Sequence, residues 1–172
     1  MVDSHKARVF NTAISFLQNN EDAEDITQEV FIEVYSSLQK FKGQASISTW
    51  IYRITVNKSL DHLRKKGRKK RFGFMTSLFN TDAGEVNADV GHFEHPGILL
   101  EKKELSKVLF EAIGTLSENQ KTAFILFHIE ELSQKEIGEV MSLSAKAVES
   151  LIARAKVSLR IQLEDIYKKR GI

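Results

Sequence analysis

The residues of this chain best equipped for chemistry are binders rather than catalysts. In "QKEIGEVMSLSAKAVESLIARAK", residues 134–156, Gln134 and Lys135 precede Lys146, Glu149, Ser150 and Arg154. Arg and Lys can grip a phosphate or a guanine edge, Glu can accept from cytosine, and Ser suits either kind of partner. The stretch reads as two short helices joined by a tight turn. Ile137, Met141 and Leu143 form the locking face of the first, and Val148, Ile152, Ala155 and Leu159 that of the second. Gly138 is the small residue needed where two steeply crossed helices touch, and Ser144 is placed to cap the second helix. Position 142, often glycine in such turns, is Ser. Lys146, Glu149, Ser150, Ala153 and, at the flank, Arg154 are then left outward, over the length of helix that a DNA major groove admits. An ordinary helical hairpin is the alternative, and the spacing favours DNA.

Two further sets carry charge in a pattern. Asp25, Glu29 and Glu33 recur every four residues, with Gln28 beside them, so they stripe one helix face. They lie in residues 21–33, which hold six acids and no base, whereas residues 63–71 hold seven bases and no acid. Opposite blocks this close imply two different partners, the other reading being a solvated helix face and a flexible basic loop. Arg53, Asn57 and Arg64, spaced four and then seven, share an arc suited to a nucleic-acid backbone and an adjacent base.

Catalytic constellations do not compete with these sets. There is no Cys, no HExxH, no phosphate-binding loop and no Ser/His/Asp order, so neither an enzyme nor a cofactor is expected. His92 and His95 stand three apart without a further ligand in the vicinity, so no metal is expected, and His62 and His128 read as structural or surface residues. No apolar run approaches membrane-span length and the first residues lack a signal-peptide core, which points to a cytoplasmic protein.

The elements that must position these residues are all helical. With 172 residues, 42% of them hydrophobic, the chain suffices for one ordinary domain or two small ones. Val9, Phe10, Ala13, Ile14 and Leu17 repeat at helical spacing, as do Ile26, Val30, Phe31, Val34 and Leu38. Gly43 is expected to end the second helix, and Ser48 or Thr49 to cap a third that runs to about residue 66. Further helices are expected at 98–114, 118–130, 134–141 and 145–168. Periodicity fades between Arg71 and the single proline, Pro96. The fold class is therefore all-α, with two small helical domains, 1–70 and 98–172, joined by a flexible linker at 71–97, the second containing the helix-turn-helix.

Taken in order, "DAEDITQEVFIEVY", "KFKGQASISTWIYRITVNKSLDHLRK" and "TLSENQKTAFILFHIEELSQKEIGEVMSLSAKAVESLIARAKVSLR" resemble the extracytoplasmic-function class of bacterial sigma factors. The resemblance covers nearly the whole chain except the linker. It implies a protein that binds core RNA polymerase, through the β′ clamp and β subunits, and directs it to promoter DNA, with the polymerase doing the chemistry. On that resemblance Asp25, Gln28, Glu29 and Glu33 meet the polymerase. Lys42, Gln44, Ser46, Arg53, Asn57 and Arg64 handle the opened minus-10 strand, and Gln134, Lys135, Lys146, Glu149, Ser150 and Arg154 contact the minus-35 element. Trp50 reads as core, since Ile54 follows one turn later. An anti-sigma factor is a possible further partner. Glu149 and Leu151 depart from the family, many members having basic residues there. The alternative function is a stand-alone, dimeric helix-turn-helix regulator, against which the acidic helix and the N-terminal domain both weigh.

Overall fold

A computed structural model describes residues 2–41, 43, 45–79 and 103–170, with side chains for 5–41, 43, 45–71 and 105–169. The first apolar repeat closes into α1 (Val2–Leu17), whose Val9, Ala13, Ile14, Phe16 and Leu17 are all buried. Gln18, at φ 54°, takes a left-handed step that stops the helix. Asn19 then caps α2 (Asn20–Ser37) by accepting the Asp22 N–H at 2.9 Å, with Glu21 and Asp22 at the positive end of the helix dipole. Ala23, Ile26, Thr27 and Val30 form the buried face of α2.

Two boundaries differ from the sequence expectation. The second helix ends at Ser37, passes into a 3-10 turn (Leu38–Lys40), and leaves Gly43 to turn the loop beyond at φ 68°. The next helix, α3 (Ile47–Phe79), is capped by neither Ser48 nor Thr49. It is Ser46 whose hydroxyl accepts the Thr49 N–H at 3.0 Å. This helix also continues past residue 66 and through the first nine positions assigned to the linker. Lys and Arg are good helix formers, so the basic run extends the helix, and Gly67 alone does not break it. At 1.5 Å per residue α3 is about 50 Å long.

The second unit comprises α4 (Lys103–Gly114), α5 (Glu118–His128), α6 (Gln134–Met141) and α7 (Ala145–Arg170). Residues 98–102, where the fourth helix was expected to start, and residues 80–102 of the expected linker lie outside the described residues. Helices α4, α5 and α6 all pack on α7, around Val108, Phe110, Ile113, Ile125, Leu126, Ile137 and Val148. A capping box starts α6. Ser133 Oγ accepts the Glu136 N–H at 3.3 Å, and the Ser133 N–H donates to the Glu136 carboxylate at 2.9 Å.

The two units touch. Helix α1 packs against α5 and α3 against α6, and the buried apolar residues of both units form one continuous cluster. Polar bonds cross the same boundary. Gln18 Nε2 donates to the Phe110 carbonyl at 2.8 Å, and the Tyr52 hydroxyl donates to Glu130 at 3.1 Å. Burial drives the Glu130 carboxyl above its usual range, against the pull of the Tyr52 bond.

Candidate functional site

Helix α2 presents Asp25, Gln28, Glu29 and Glu33 as an exposed face, opposite its buried residues. Two of these acids are tethered within the fold. Lys58 of α3 reaches Glu29 at 3.4 Å and Glu33 at 3.0 Å, and the Glu33 bond is the main reason its ammonium is held above the ordinary lysine range. Asp25 and Gln28 therefore open the face, while Glu29 and Glu33 share one cation. The sequence reading missed the apolar part of this surface. Ile32 is 69% exposed and Tyr35 85%, and both continue the stripe set by Asp25, Gln28 and Glu29. Their signal was phase, since they fall off the Ile26, Val30 and Val34 repeat that packs inward. Val30 is fully buried and Phe31 and Val34 are half-buried against the core, whereas Leu38, the last residue of the expected apolar repeat, is 50% exposed.

The arc expected to meet the minus-10 strand lies along α3. Asn57 is exposed. Arg53 is half-buried, with Nη2 donating to the Glu139 carbonyl of α6, and its Nε is buried with no partner. Arg64 is exposed and forks onto Glu118 of α5, its Nε at 3.0 Å from one carboxylate oxygen and its Nη2 at 2.6 Å from the other. A further bond joins its Nη1 to Asp61 at 2.9 Å. The Glu118 carboxyl is held below its usual range by the Arg64 bond. Ser46 spends its hydroxyl on capping α3 and on Thr49 Oγ1, 2.8 Å away. Lys42 and Gln44 lie outside the described residues. Trp50 is half-buried, packed on the core and tilted over Phe41 with ring centroids 4.9 Å apart.

Helices α6 and α7 form the helix-turn-helix. Val148, Ile152, Ala155 and Leu159 are at most 5% exposed, and Lys146, Glu149, Ser150, Ala153 and Arg154 all face outward. Ser144 caps α7, accepting the Ala147 N–H at 3.2 Å. Lys135 is exposed and Gln134 half-buried, both in the first turn of α6, where free N–H groups favour an anion. At Gly138 an added Cβ would stand 2.6 Å from the Leu143 carbonyl oxygen, so the crossing needs glycine there. Leu143 differs from the expectation. Its backbone seats the turn on Gly138 but its side chain is 39% exposed, so the inner face of α6 rests on Ile137, Val140 and the half-buried Met141. Ser142 holds the left-handed position in the turn at φ 57°.

Comparison with known proteins places both halves. Residues 1–69 match the family Sigma-70 region 2, and residues 106–159 match Sigma-70, region 4. The chain is 32% identical to the ECF RNA polymerase sigma factor SigW of Bacillus subtilis, over 96% of this chain and 88% of that protein. It is 30% identical to the ECF RNA polymerase sigma-E factor of Haemophilus influenzae, over 96% of this chain and 87% of that one. Among solved structures, CnrH in complex with the cytosolic domain of CnrY superposes with a TM-score of 0.66 at 24% identity, over 95% of this chain and 85% of that one. The sigma factor RpoE in complex with the anti-sigma factor NepR, from Bartonella quintana, gives 0.64 at 18%, over 93% and 92%. These two likenesses establish the fold alone.

Proposed function

The chain belongs to the ECF class of RNA polymerase sigma factors, and from that premise we propose how its surfaces divide the work of promoter-directed initiation. Residues 1–70 bind core polymerase and recognise the minus-10 element, and residues 98–172 recognise the minus-35 element. The observation that carries this division is the pairing of two exposed polar faces in the two matched regions. One is the acidic stripe on α2, the other the outward face of α7.

Asp25, Gln28, Glu29 and Glu33, joined by Ile32 and Tyr35, dock on the polymerase clamp. The apolar pair gives the docking a component that salt does not screen, whereas exposed ion pairs weaken beyond a Debye length of about 8–10 Å. Arg53, Asn57 and Arg64 serve the opened strand. Lys135 and the start of α6 grip phosphate, and Lys146, Glu149, Ser150 and Arg154 face base edges in the major groove. The polymerase supplies the chemistry, so no residue here is assigned a catalytic step. The anti-sigma factor in the NepR complex supports a partner of that kind for this chain too. Among the described residues no helix is long and apolar enough to cross a membrane.

In vitro transcription with purified core polymerase tests the reading. The wild-type chain is expected to direct initiation from a subset of a promoter library, and the Glu29→Lys, Glu33→Lys double variant to lose core binding in a pull-down. Unchanged core capture by that variant would remove the polymerase assignment. A palindromic footprint made by the chain alone would favour a dimeric regulator instead.

A further inference from the structure

We propose that Lys58 tempers the acidic docking face of α2, as a built-in counter-ion that sets how tightly, and with how much salt dependence, the chain binds core polymerase. Its ammonium stands between two carboxylates, 3.4 Å from Glu29 and 3.0 Å from Glu33. Those acids lie one helical turn apart on the same face, where two like charges repel. Both are well exposed, whereas the Lys58 side chain is only 25% exposed. The cation thus sits deeper than the acids, at the seam where α3 packs on α2, and the carboxylates keep their outer sides to solvent.

A partner that approaches those outer sides meets two acids already shared with one cation. A basic partner is drawn by Asp25, Glu29 and Glu33 but repelled by Lys58 at similar range, so the ionic part of docking is weakened. The internal pairs need not break, because a carboxylate has room for a second donor. Ile32 and Tyr35 continue the stripe, exposed and uncharged, and the gain from burying them does not depend on the lysine. Lys58 therefore shifts the balance of docking from charge towards apolar contact. It is a positioning residue that acts through Glu29 and Glu33 and does not itself touch the polymerase. Its role rests on the docking of the α2 face on the polymerase, proposed above.

Equilibrium binding of the full-length chain to core polymerase, without DNA, tests this role. Lys58→Met keeps the apolar stem and removes the charge. It should tighten binding about two- to fivefold at low salt, the scale of one exposed ion pair. The fall of affinity with salt should become steeper, and the gain should vanish at high salt, where exposed charges are screened. Lys58→Arg should behave as wild type, and Lys58→Gln should repeat the gain if Lys58→Met proves poorly folded by circular dichroism. In a Glu29→Gln, Glu33→Gln background, Lys58→Met should give no gain, since the acids it acts through are gone. Lys107→Met, which removes an exposed cation from α4, should leave core binding unchanged.

Weaker core binding by Lys58→Met would overturn the proposal, because the lysine would then support the docking face or contact the polymerase. An equal gain from Lys107→Met would reduce the effect to net charge and overturn it too. A gain that survives in the Glu29→Gln, Glu33→Gln background would mean that Lys58 does not act through these acids. Should Lys58→Met bind as wild type, the Glu29→Lys, Glu33→Lys variant separates the two failures. Loss of core capture by that variant would leave the docking face standing and remove only the role of Lys58. Unchanged capture would mean that the docking assignment itself had failed, and Lys58 with it.

Discussion

Gly138→Ala is the sharpest single perturbation of the helix-turn-helix. The added Cβ would sit 2.6 Å from the Leu143 carbonyl oxygen, where ordinary contact begins at 3.4 Å. The obstructing atom is backbone and cannot rotate away. It is also pinned, because the Leu143 N–H donates to the Gly138 carbonyl at 2.9 Å and the Ser142 N–H reaches the same oxygen. The turn must shift, and with it the start of α7, whose Val148 is fully buried. Overpacking of this kind costs about 1–3 kcal/mol, and a fixed backbone obstacle belongs in the upper half of that range. Alanine returns about 1 kcal/mol of helix propensity. The expected net loss is about 1–2 kcal/mol, or roughly 2–8 °C in melting temperature for a chain of this size. Thermal unfolding followed by circular dichroism measures it, and minus-35 selection with the holoenzyme should weaken in parallel. A variant that melts at or above the wild-type temperature would refute the claim that close approach dictates this glycine.

Ser142→Gly should act in the opposite sense, because φ 57° costs an L-residue about 1–2 kcal/mol that glycine avoids. A melting temperature equal to or below wild type would contradict this. Glu130 has a folded pKa raised by burial, so it favours the folded state below its unfolded value of 4.5 and loses that contribution as pH rises through the folded value. Glu130→Gln should therefore be more stable than wild type at neutral pH, with the gap closing as pH falls through the raised folded value towards 4.5. A gap independent of pH in denaturant titrations would count against burial as the cause. Lys135→Ala should weaken the holoenzyme on all promoters alike, whereas Glu149→Ala should change the preferred minus-35 sequence by about 1–3 kcal/mol per lost base contact. Identical sequence preferences for Glu149→Ala and wild type would mean that Glu149 reads no base.

Local chemistry explains what could be read from the sequence. The inner face of α7 follows from a 3.6-residue repeat, and its cap from a Ser one position ahead of it. Both are set by residues within a turn or two of each other. Leu143 escaped that reasoning because its side-chain direction follows the left-handed step at Ser142, which a residue name does not announce. The Lys and Arg run of α3 was ambiguous, since one composition suits a solvated helix and a loop equally. Ile32 and Tyr35 required attention to apolar residues out of phase with the core. The arginine partners were beyond reach. Arg53 and Glu139 are 86 residues apart and Arg64 and Glu118 are 54 apart, distances over which spacing carries no information.

The continuous helix through residues 65–71 changes the thermodynamics of any contact its cations make. Fixing the backbone of a flexible loop would cost about 1–2 kcal/mol for each residue ordered on docking. In α3 that ordering is already complete before an anion arrives, and Lys65, Lys66, Arg68, Lys69, Lys70 and Arg71 all reach solvent. Attraction by this segment is consequently dominated by counterion release, with a steep salt slope and only a small ordering penalty set against it. The cations are also held at fixed separations along a rod. The segment can orient an approaching polyanion along its axis, which a loop of the same composition could not do.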